Sequence, residues 1–311
     1  MSIATETTYT LAQLRDWPAC VPDWPSDGVA LAVIGHPVTH SLSPTMHNAA
    51  LAELAKAKPE FTKWRYFKFD IAHEQLVEAL QFFHRKKFRG LNLTVPHKAL
   101  VMEYLTSVDS DAQNSGASNT ISYTKEGWKG ANTDGYGLAT ALREDLEVEL
   151  SGAHIILLGA GGAARGAAMQ CVLDQCASLW IGNRTQTLRD KLVRNLRKIC
   201  PSTITIQPFS LKTLRPKPPA KSVVINATSL GLKPDDGSPL DLKTFPPPAK
   251  VYDMIYRPPQ TALLRQAAAM GIPNSNGLSM LVHQGAASLE IWTGETAPVA
   301  IMHQAVRRAI I

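Results

Sequence analysis

HIILLGAGGAARG, residues 154–166, is the stretch that decides the fold of the second half of the chain. The apolar run from His154 to Leu158 stops at Gly159 and gives way to Gly161, Gly162 and Ala164, and helix-forming residues follow from Ala163 to Leu173. Strand, glycine turn and helix in that order aim backbone N–H groups and a helix N-terminus at one point, the geometry that cradles a pyrophosphate. Gly159 allows the tight turn, Gly161 lets the backbone approach phosphate oxygens, and Ala164 keeps helix and strand close. Glycine turns after strands also occur with no nucleotide attached, so the G-x-G-x-x-A spacing alone leaves a purely structural turn open. Position adds a constraint: about half of the 311 residues precede this turn, enough for a second α/β unit.

The strand expected at 178–183 ends in WIGNRT, residues 180–185. An NAD site usually places Asp or Glu about 20 residues after the glycine turn to bind the ribose hydroxyls. No acid stands there; Asn183, Arg184 and Thr185 do. A carboxylate repels a 2′-phosphate, whereas the Arg184 guanidinium pairs with one bidentately. This favours NADP(H) over a surface arginine in a turn.

Upstream the pattern predicts strands at 30–35, 63–69 and 88–95 and helices at 44–57, 72–87 and 98–105, after an irregular lead-in over 1–28. A hairpin is expected at 121–130. Downstream, strands 154–159, 178–183, 203–207, 222–227 and 250–256 alternate with helices 162–175, 186–198, 261–270 and 278–291, followed by a short tail. That rhythm is α/β. In GLNLTVPHK (90–98), Asn92 and Thr94 share one face of a strand that Pro96 stops, and Lys98 opens the next helix. GANTDGYG (130–137) holds Asp134 between glycines, where a plain polar turn is the alternative. Lysine and carboxylate together are what proton transfer to or from an alcohol needs. In GHPVTHSLSPTMH (35–47), Ser41 and Ser43 precede Pro44 and its helix; their hydroxyls suit a carboxylate at that N-terminus, or Ser43 serves only as N-cap. Pro37 keeps His36 and His40 off one regular helical face and no acid accompanies them, so no metal is expected.

Composition bounds the rest. With 45% hydrophobic and 19% charged residues the chain is globular and long enough for two domains. The net charge of +6 points to anionic small molecules. The densest basic run, His84-Arg85-Lys86-Lys87, closes an amphipathic helix, so nucleic acid is not expected as a partner. Four cysteines without C-x-x-C spacing and a polar start without a signal-peptide pattern point to reduced thiols in the cytoplasm. The most apolar stretch, 153–173, is broken by glycines, His154 and Arg165, which argues against a membrane span.

Taken in order, HSLSP (40–44), NLTVPHK (92–98), GASNT (116–120), ANTDG (131–135), GAGGAARG (159–166), NRT (183–185), YDMIY (252–256) and NGLSMLVHQ (276–284) resemble the shikimate dehydrogenase family. The resemblance implies an N-terminal α/β substrate domain over 1–135, completed by C-terminal helices over 277–311 that pack back on it. A Rossmann NADP-binding domain would fill 136–276. It implies that Lys98 is the catalytic lysine and Asp134 its partner, and that Ser41 and Ser43 hold a substrate carboxylate. Asn92, Thr94, Asn119, Tyr256 and Gln284 would surround the substrate. Gly159, Ala160, Gly161, Gly162 and Ala163 would form the pyrophosphate loop, Asn183, Arg184 and Thr185 the 2′-phosphate reader, and Met254 and Gly277 would lie near the nicotinamide.

Three departures stand out. NADP-preferring members often carry a second basic residue shortly after N-R-T, where this chain has Leu188 followed by Arg189. Ser118 replaces a usual valine in GASNT, and Arg257 replaces a smaller polar residue after Tyr256. The activity expected from the resemblance is reversible NADP(H)-dependent reduction of 3-dehydroshikimate to shikimate, a step toward chorismate and the aromatic amino acids, by a monomer or homodimer. The alternatives are dehydrogenation of quinate or a related cyclitol acid with NAD or NADP, and a non-catalytic NADP-binding sensor.

Overall fold

The computed structural model describes residues 7–233 and 235–310. By internal contacts the chain forms two compact units, Met1–Thr133 with Gln284–Ile311, and Asp134–His283.

The first unit is built on β1 (Thr8–Thr10), α1 (Leu11–Arg15), β2 (Val29–Gly35), α2 (Ser43–Ala57), β3 (Trp64–Asp70), α3 (Leu76–Arg85), β4 (Gly90–Leu93), α4 (His97–Leu100), β5 (Leu105–Val108), α5 (Ser110–Ser115), β6 (Thr120–Thr124) and β7 (Gly127–Ala131). Its seven-stranded sheet runs β1-β3-β2-β4-β6-β7-β5. The first four strands are parallel, β4/β6 and β6/β7 are antiparallel, and β5 joins β7 in parallel. Parallel strands need both faces covered, and β2 accordingly reads as an unbroken apolar run. One face buries an aromatic cluster in which Tyr9, Trp17, Phe67, Phe69, Phe83 and Phe88 meet mostly edge to face.

Against the other face lies His47 of α2, fully buried, stacked on the Tyr66 ring at 4.2 Å with an interplanar angle of 4°. Neither ring nitrogen has a hydrogen-bond partner, and burial pushes the imidazole down to about 3. The unfolded chain takes up this proton near pH 6.5. Between pH 6.5 and 3 the unfolded state therefore binds more protons than the folded one, and stability falls as the pH falls. We expect His47→Leu to reduce the slope of unfolding free energy against pH by about 1.4 kcal/mol per pH unit between pH 6 and 4. His97, also held below its usual range chiefly by burial, contributes equally to both proteins. Urea unfolding across that range checks it; parallel slopes would refute it.

The second unit opens with α6 (Asp134–Leu146) and continues β8 (His154–Leu158), α7 (Gly162–Leu173), β9 (Ser178–Gly182), α8 (Gln186–Ile199), β10 (Thr205–Phe209), β11 (Val223–Asn226), β12 (Lys250–Asp253), α9 (Ala262–Ala269) and β13 (Asn274–Asn276). Then α10 (Leu278–Thr293), within which the division between units falls, leads to α11 (Val299–Ile310), packed on α2 of the first unit. The six strands are all parallel in the order β10-β9-β8-β11-β12-β13. This is the doubly wound Rossmann order, with its switch point between β8 and β11. Ile155 and Leu157 of β8 enter one core, Ile156 and Leu158 the other, which is why the strand shows no polar alternation.

Several expectations need correction. The helix expected over 98–105 is one α-turn, a 3-10 turn at Val101–Tyr104, and then β5. The strand expected over 250–256 stops at Asp253, whose carboxylate accepts from Ile255 N two residues on. The lead-in contributes an edge strand and a core tryptophan, apart from residues 1–6, which lie outside the described residues. The C-terminal tail is a 12-residue helix. Among the described residues no helix is long and apolar enough to cross a membrane.

Candidate active site

In the second unit the chain leaves β8 at Gly159 with φ +121°, a conformation strained for any side chain. A Cβ there would also stand 2.9 Å from the Ala227 carbonyl, across the switch point. Gly161 is the N-cap of α7 without a side-chain cap, and Arg165 N donates to its carbonyl at 2.9 Å. The N–H groups of Gly162, Ala163 and Ala164 are the orphan donors of that first turn. Gly161 and Gly162 are exposed with no protein atom within 4 Å of a notional Cβ, and Ala160 lies buried behind them. Open space over free donors at a helix N-terminus fits a pyrophosphate.

Gly159 N donates to Gly182 O at 2.8 Å, which ties this turn to the end of β9. Beyond it Asn183 Nδ2 donates to Thr185 O at 2.9 Å, folding the segment so that Arg184 is exposed. Thr185 is the N-cap of α8, and its side chain makes no capping bond. Arg189 is occupied elsewhere. It pairs with Asp190 at 2.8 Å and donates to Phe209 O at 2.9 Å, leaving its side chain 12% exposed. Leu188, in the place of the missing second cation, is an exposed apolar side chain.

Met254 and Gly277 are brought together: a Cβ on Gly277 would stand 2.1 Å from Met254 O, so only glycine fits. The loop carrying Met254 and Tyr256 is fastened by buried Asp253, which accepts from Asn226 Nδ2 (2.9 Å), Thr261 Oγ1 (2.6 Å) and Ile255 N (3.1 Å). Burial pushes the Asp253 carboxyl up, and those donors oppose it. Tyr256 is half-buried, its phenol raised by burial.

The first unit holds the other set. Ser41 Oγ accepts from Ser43 N at 3.3 Å, and Leu42, not Ser43, is the N-cap of α2. Thr94 N donates to Ile34 O, prolonging the β2–β4 pairing by one residue. Lys98 is half-buried in α4; its carbonyl accepts from Ser118 N at 2.8 Å, and neighbouring His97 is pinned to Ile71 O at 2.7 Å. Asp134 and Tyr256 belong to the second unit.

Asn119 and Gln284 meet within the first unit, and their polarity is determined. Thr133 N can only donate, so the Asn119 atom 2.8 Å away is Oδ1. Nδ2 then faces Thr133 Oγ1 at 2.9 Å and Gln284 Oε1 at 3.1 Å. The Gln284 atom it meets is therefore the accepting Oε1. Asn92 is used differently. It is 5% exposed; Nδ2 reaches Asn119 O, Thr120 Oγ1 and Ser288 Oγ at 3.0–3.1 Å, and Oδ1 accepts from Tyr66 at 2.7 Å. Thr133 of the ANTDG block completes this network together with Ser288 and Tyr66, which nothing in their sequence neighbourhood marks. A separate groove of about 440 Å3 between α3 and β7, lined by His84, Arg85 and Trp128, contains none of these residues. Among the described residues no group of three or more His, Cys, Asp or Glu side chains is placed to hold a metal ion.

A mixed α/β unit carrying a buried polar network, joined to a doubly wound unit with a glycine cradle, defines a two-domain protein of the dinucleotide-binding class. Residues 33–121 match the shikimate dehydrogenase substrate binding domain and 277–307 the shikimate 5′-dehydrogenase C-terminal domain. The shikimate dehydrogenase (NADP(+)) of Thermosynechococcus vestitus is 39% identical over 287 residues, 90% of this chain and 95% of the relative. The crystal structure of shikimate 5-dehydrogenase from Thermus thermophilus in complex with NADP(H) and shikimate is similar with a TM-score of 0.79 and 35% identity, covering 90% of this chain and 99% of that one. The ligand-free 5-ketofructose reductase of Gluconobacter sp. strain CHM43 is similar with a TM-score of 0.80 and 28% identity, covering 92% and 100%. The chain belongs to the shikimate dehydrogenase family.

Proposed function

We propose that the protein catalyses the reversible NADP(H)-dependent reduction of 3-dehydroshikimate to shikimate. The observation that carries this reading is the hydrogen-bonded pair formed by Asn119 and Gln284, fixed in the same unit as Lys98 and the Ser41–Ser43 pair. Such an array suits a small acid bearing several hydroxyls, with an anion at one end and an oxygen to be protonated at the other. The names of the relatives at 35–39% identity agree.

In this reading the first unit binds substrate and the second binds cofactor. Ser41 and Ser43 hold the carboxylate, and Asn119, Gln284, Thr94 and Tyr256 surround the ring and its hydroxyls. Asn92 holds Asn119 and Ser288 in place. The glycine loop from Gly159 to Ala163 takes the pyrophosphate, Arg184 and Thr185 the 2′-phosphate, and Met254 and Gly277 flank the nicotinamide. When bound, NADPH supplies the hydride. As the carbonyl carbon gains hydrogen, its oxygen becomes an alkoxide, and Lys98 delivers a proton to it. Asp134 orients Lys98 and the adjacent hydroxyl. In oxidation Lys98 receives the hydroxyl proton instead. Four free cysteines suit a reducing compartment such as the cytoplasm, where a monomer or homodimer would work.

The test is initial rates with shikimate and quinate, each with NADP+ and NAD+, and with 5-ketofructose and NADPH, because a reductase of that name shares the fold. We expect the highest kcat/KM for shikimate with NADP+. A higher value for any other pair would overturn the assignment.

A further inference from the structure

Strand β3 alternates. Phe67 and Phe69 enter the aromatic core on one face of the sheet, which puts Tyr66, Lys68 and Asp70 on the face that meets α2. Lys68 is only 7% exposed. A methionine would fill that volume without the cost of taking an ammonium out of water, so packing alone does not call for lysine here. Its place beside one loop does. Lys68 Nζ donates to Thr39 O at 2.9 Å. Thr39 belongs to the tight turn that leads from β2 into α2, closed by Ser41 N donating to Val38 O at 3.0 Å and anchored by the buried Val38 side chain. Two residues along the strand from Lys68, Asp70 pairs with His36 Nδ1 at the start of the same loop.

One face of β3 thus holds this loop at its start and at its middle, just before Ser41 and Ser43. Thr39 and Ser41 are two residues apart, no more than about 7.6 Å between Cα atoms, so the ammonium bound to Thr39 O is fixed close to the serine pair. A buried charge is screened far less than a surface one, and α2 turns its positive N-terminal end to the same place. We propose that Lys68 is a positioning residue that fixes the Val38–Ser41 turn through Thr39 O and lends its positive charge to the substrate carboxylate held by Ser41 and Ser43. Two neutral hydroxyls give an anion hydrogen bonds but no opposite charge. A cation held by the backbone of their own turn lowers the cost of bringing the carboxylate out of water. The carboxylate lies at the other end of the substrate from the oxygen that is protonated, so Lys68 acts on binding and not on the chemical step.

The inference rests on the proposed shikimate activity, and its test keeps the two apart. Lys68→Met keeps the apolar stem and removes the ammonium, Lys68→Gln keeps an N–H donor but no charge, and Lys68→Arg keeps both charge and donors. We expect KM for shikimate to rise about tenfold in Lys68→Met, the size of one interaction with a charged group, and at least about threefold in Lys68→Gln. In both, kcat should stay within about twofold and KM for NADP+ should be unchanged. Lys68→Arg should bring KM for shikimate back to within about twofold of wild type. A loss in kcat with KM unchanged, equal rises in KM for shikimate and NADP+, a Lys68→Gln protein indistinguishable from wild type, or a Lys68→Arg protein no better than Lys68→Gln would each overturn the proposal and leave the activity assignment intact. A wild-type protein inert toward shikimate would overturn the activity and the role of Lys68 with it. If Lys68→Met does not fold, Lys68→Gln and Lys68→Arg carry the same comparison. If neither neutral variant folds, Lys68 is a residue of the fold and the proposal falls.

Discussion

Replacing Lys98 by alanine is expected to lower kcat for shikimate oxidation by about a thousandfold, within the range assigned to a positioned proton donor or acceptor. KM for shikimate should change by less than about fivefold, because in the proposed site Ser41, Ser43, Asn119 and Gln284 hold the acid through other atoms. The side chain is half-buried rather than a core element, and the backbone bond from Ser118 N to Lys98 O survives truncation. The melting temperature should therefore stay within a few degrees of wild type. This separates a chemical role from a structural one. Loss of kcat with intact folding and binding fits proton transfer, equal losses of binding and folding would make Lys98 a scaffold residue, and unchanged turnover would remove it from the mechanism. Asp134→Asn should lower kcat by a smaller factor, since in the proposed mechanism it orients the lysine without taking the proton itself.

How much of this was legible from the sequence depends on how local each signal is. The glycine turn, NRT and NLTVPHK are short segments whose chemistry lies in consecutive residues, and the strands flanking them are apolar runs bounded by Gly or Pro. What escaped is non-local. Helix α6 begins DGYG, which reads as a turn, yet Leu138, Ala141 and Leu142 bury one helical face against the second unit's core. β13 is polar throughout and is a strand only through its pairing with β12. Tyr66 looked like any aromatic in an alternating strand, and Ser288 like any serine in a helix; their hydroxyls acquire meaning only where β3, β4 and α10 are packed together. The partners of the Asn92 amide, Tyr66, Asn119, Thr120 and Ser288, are likewise set by packing and not by its motif.

Arg184→Asp should move cofactor preference more than any other single change in the second unit. β8 and β9 pair in register from His154↔Ser178 to Leu158↔Gly182, so the residues after Gly182 emerge beside the glycine turn, to which Gly159 N is bonded. A ribose phosphate attached to a pyrophosphate on that turn therefore reaches Arg184 before other cations of α8. Arg189 cannot substitute while Asp190 and Phe209 O hold it, and Leu188 carries no charge. The carboxylate both removes a bidentate partner and repels the 2′-phosphate, and it gives the NAD ribose hydroxyls an acceptor. The ratio of kcat/KM for NADP+ over NAD+ should fall at least about 100-fold, close to 3 kcal/mol. Most of that should appear in KM, since the nicotinamide end is untouched. Raising ionic strength should weaken NADP+ binding to the wild type and leave NAD+ binding nearly constant, because Arg184 is exposed and its field is screened within about 10 Å at 0.1 M salt. A ratio unmoved by Arg184→Asp would mean that the 2′-phosphate is read elsewhere. The loop after β10, where Lys212 and Arg215 are exposed beside the end of β9, would then be the next place to substitute.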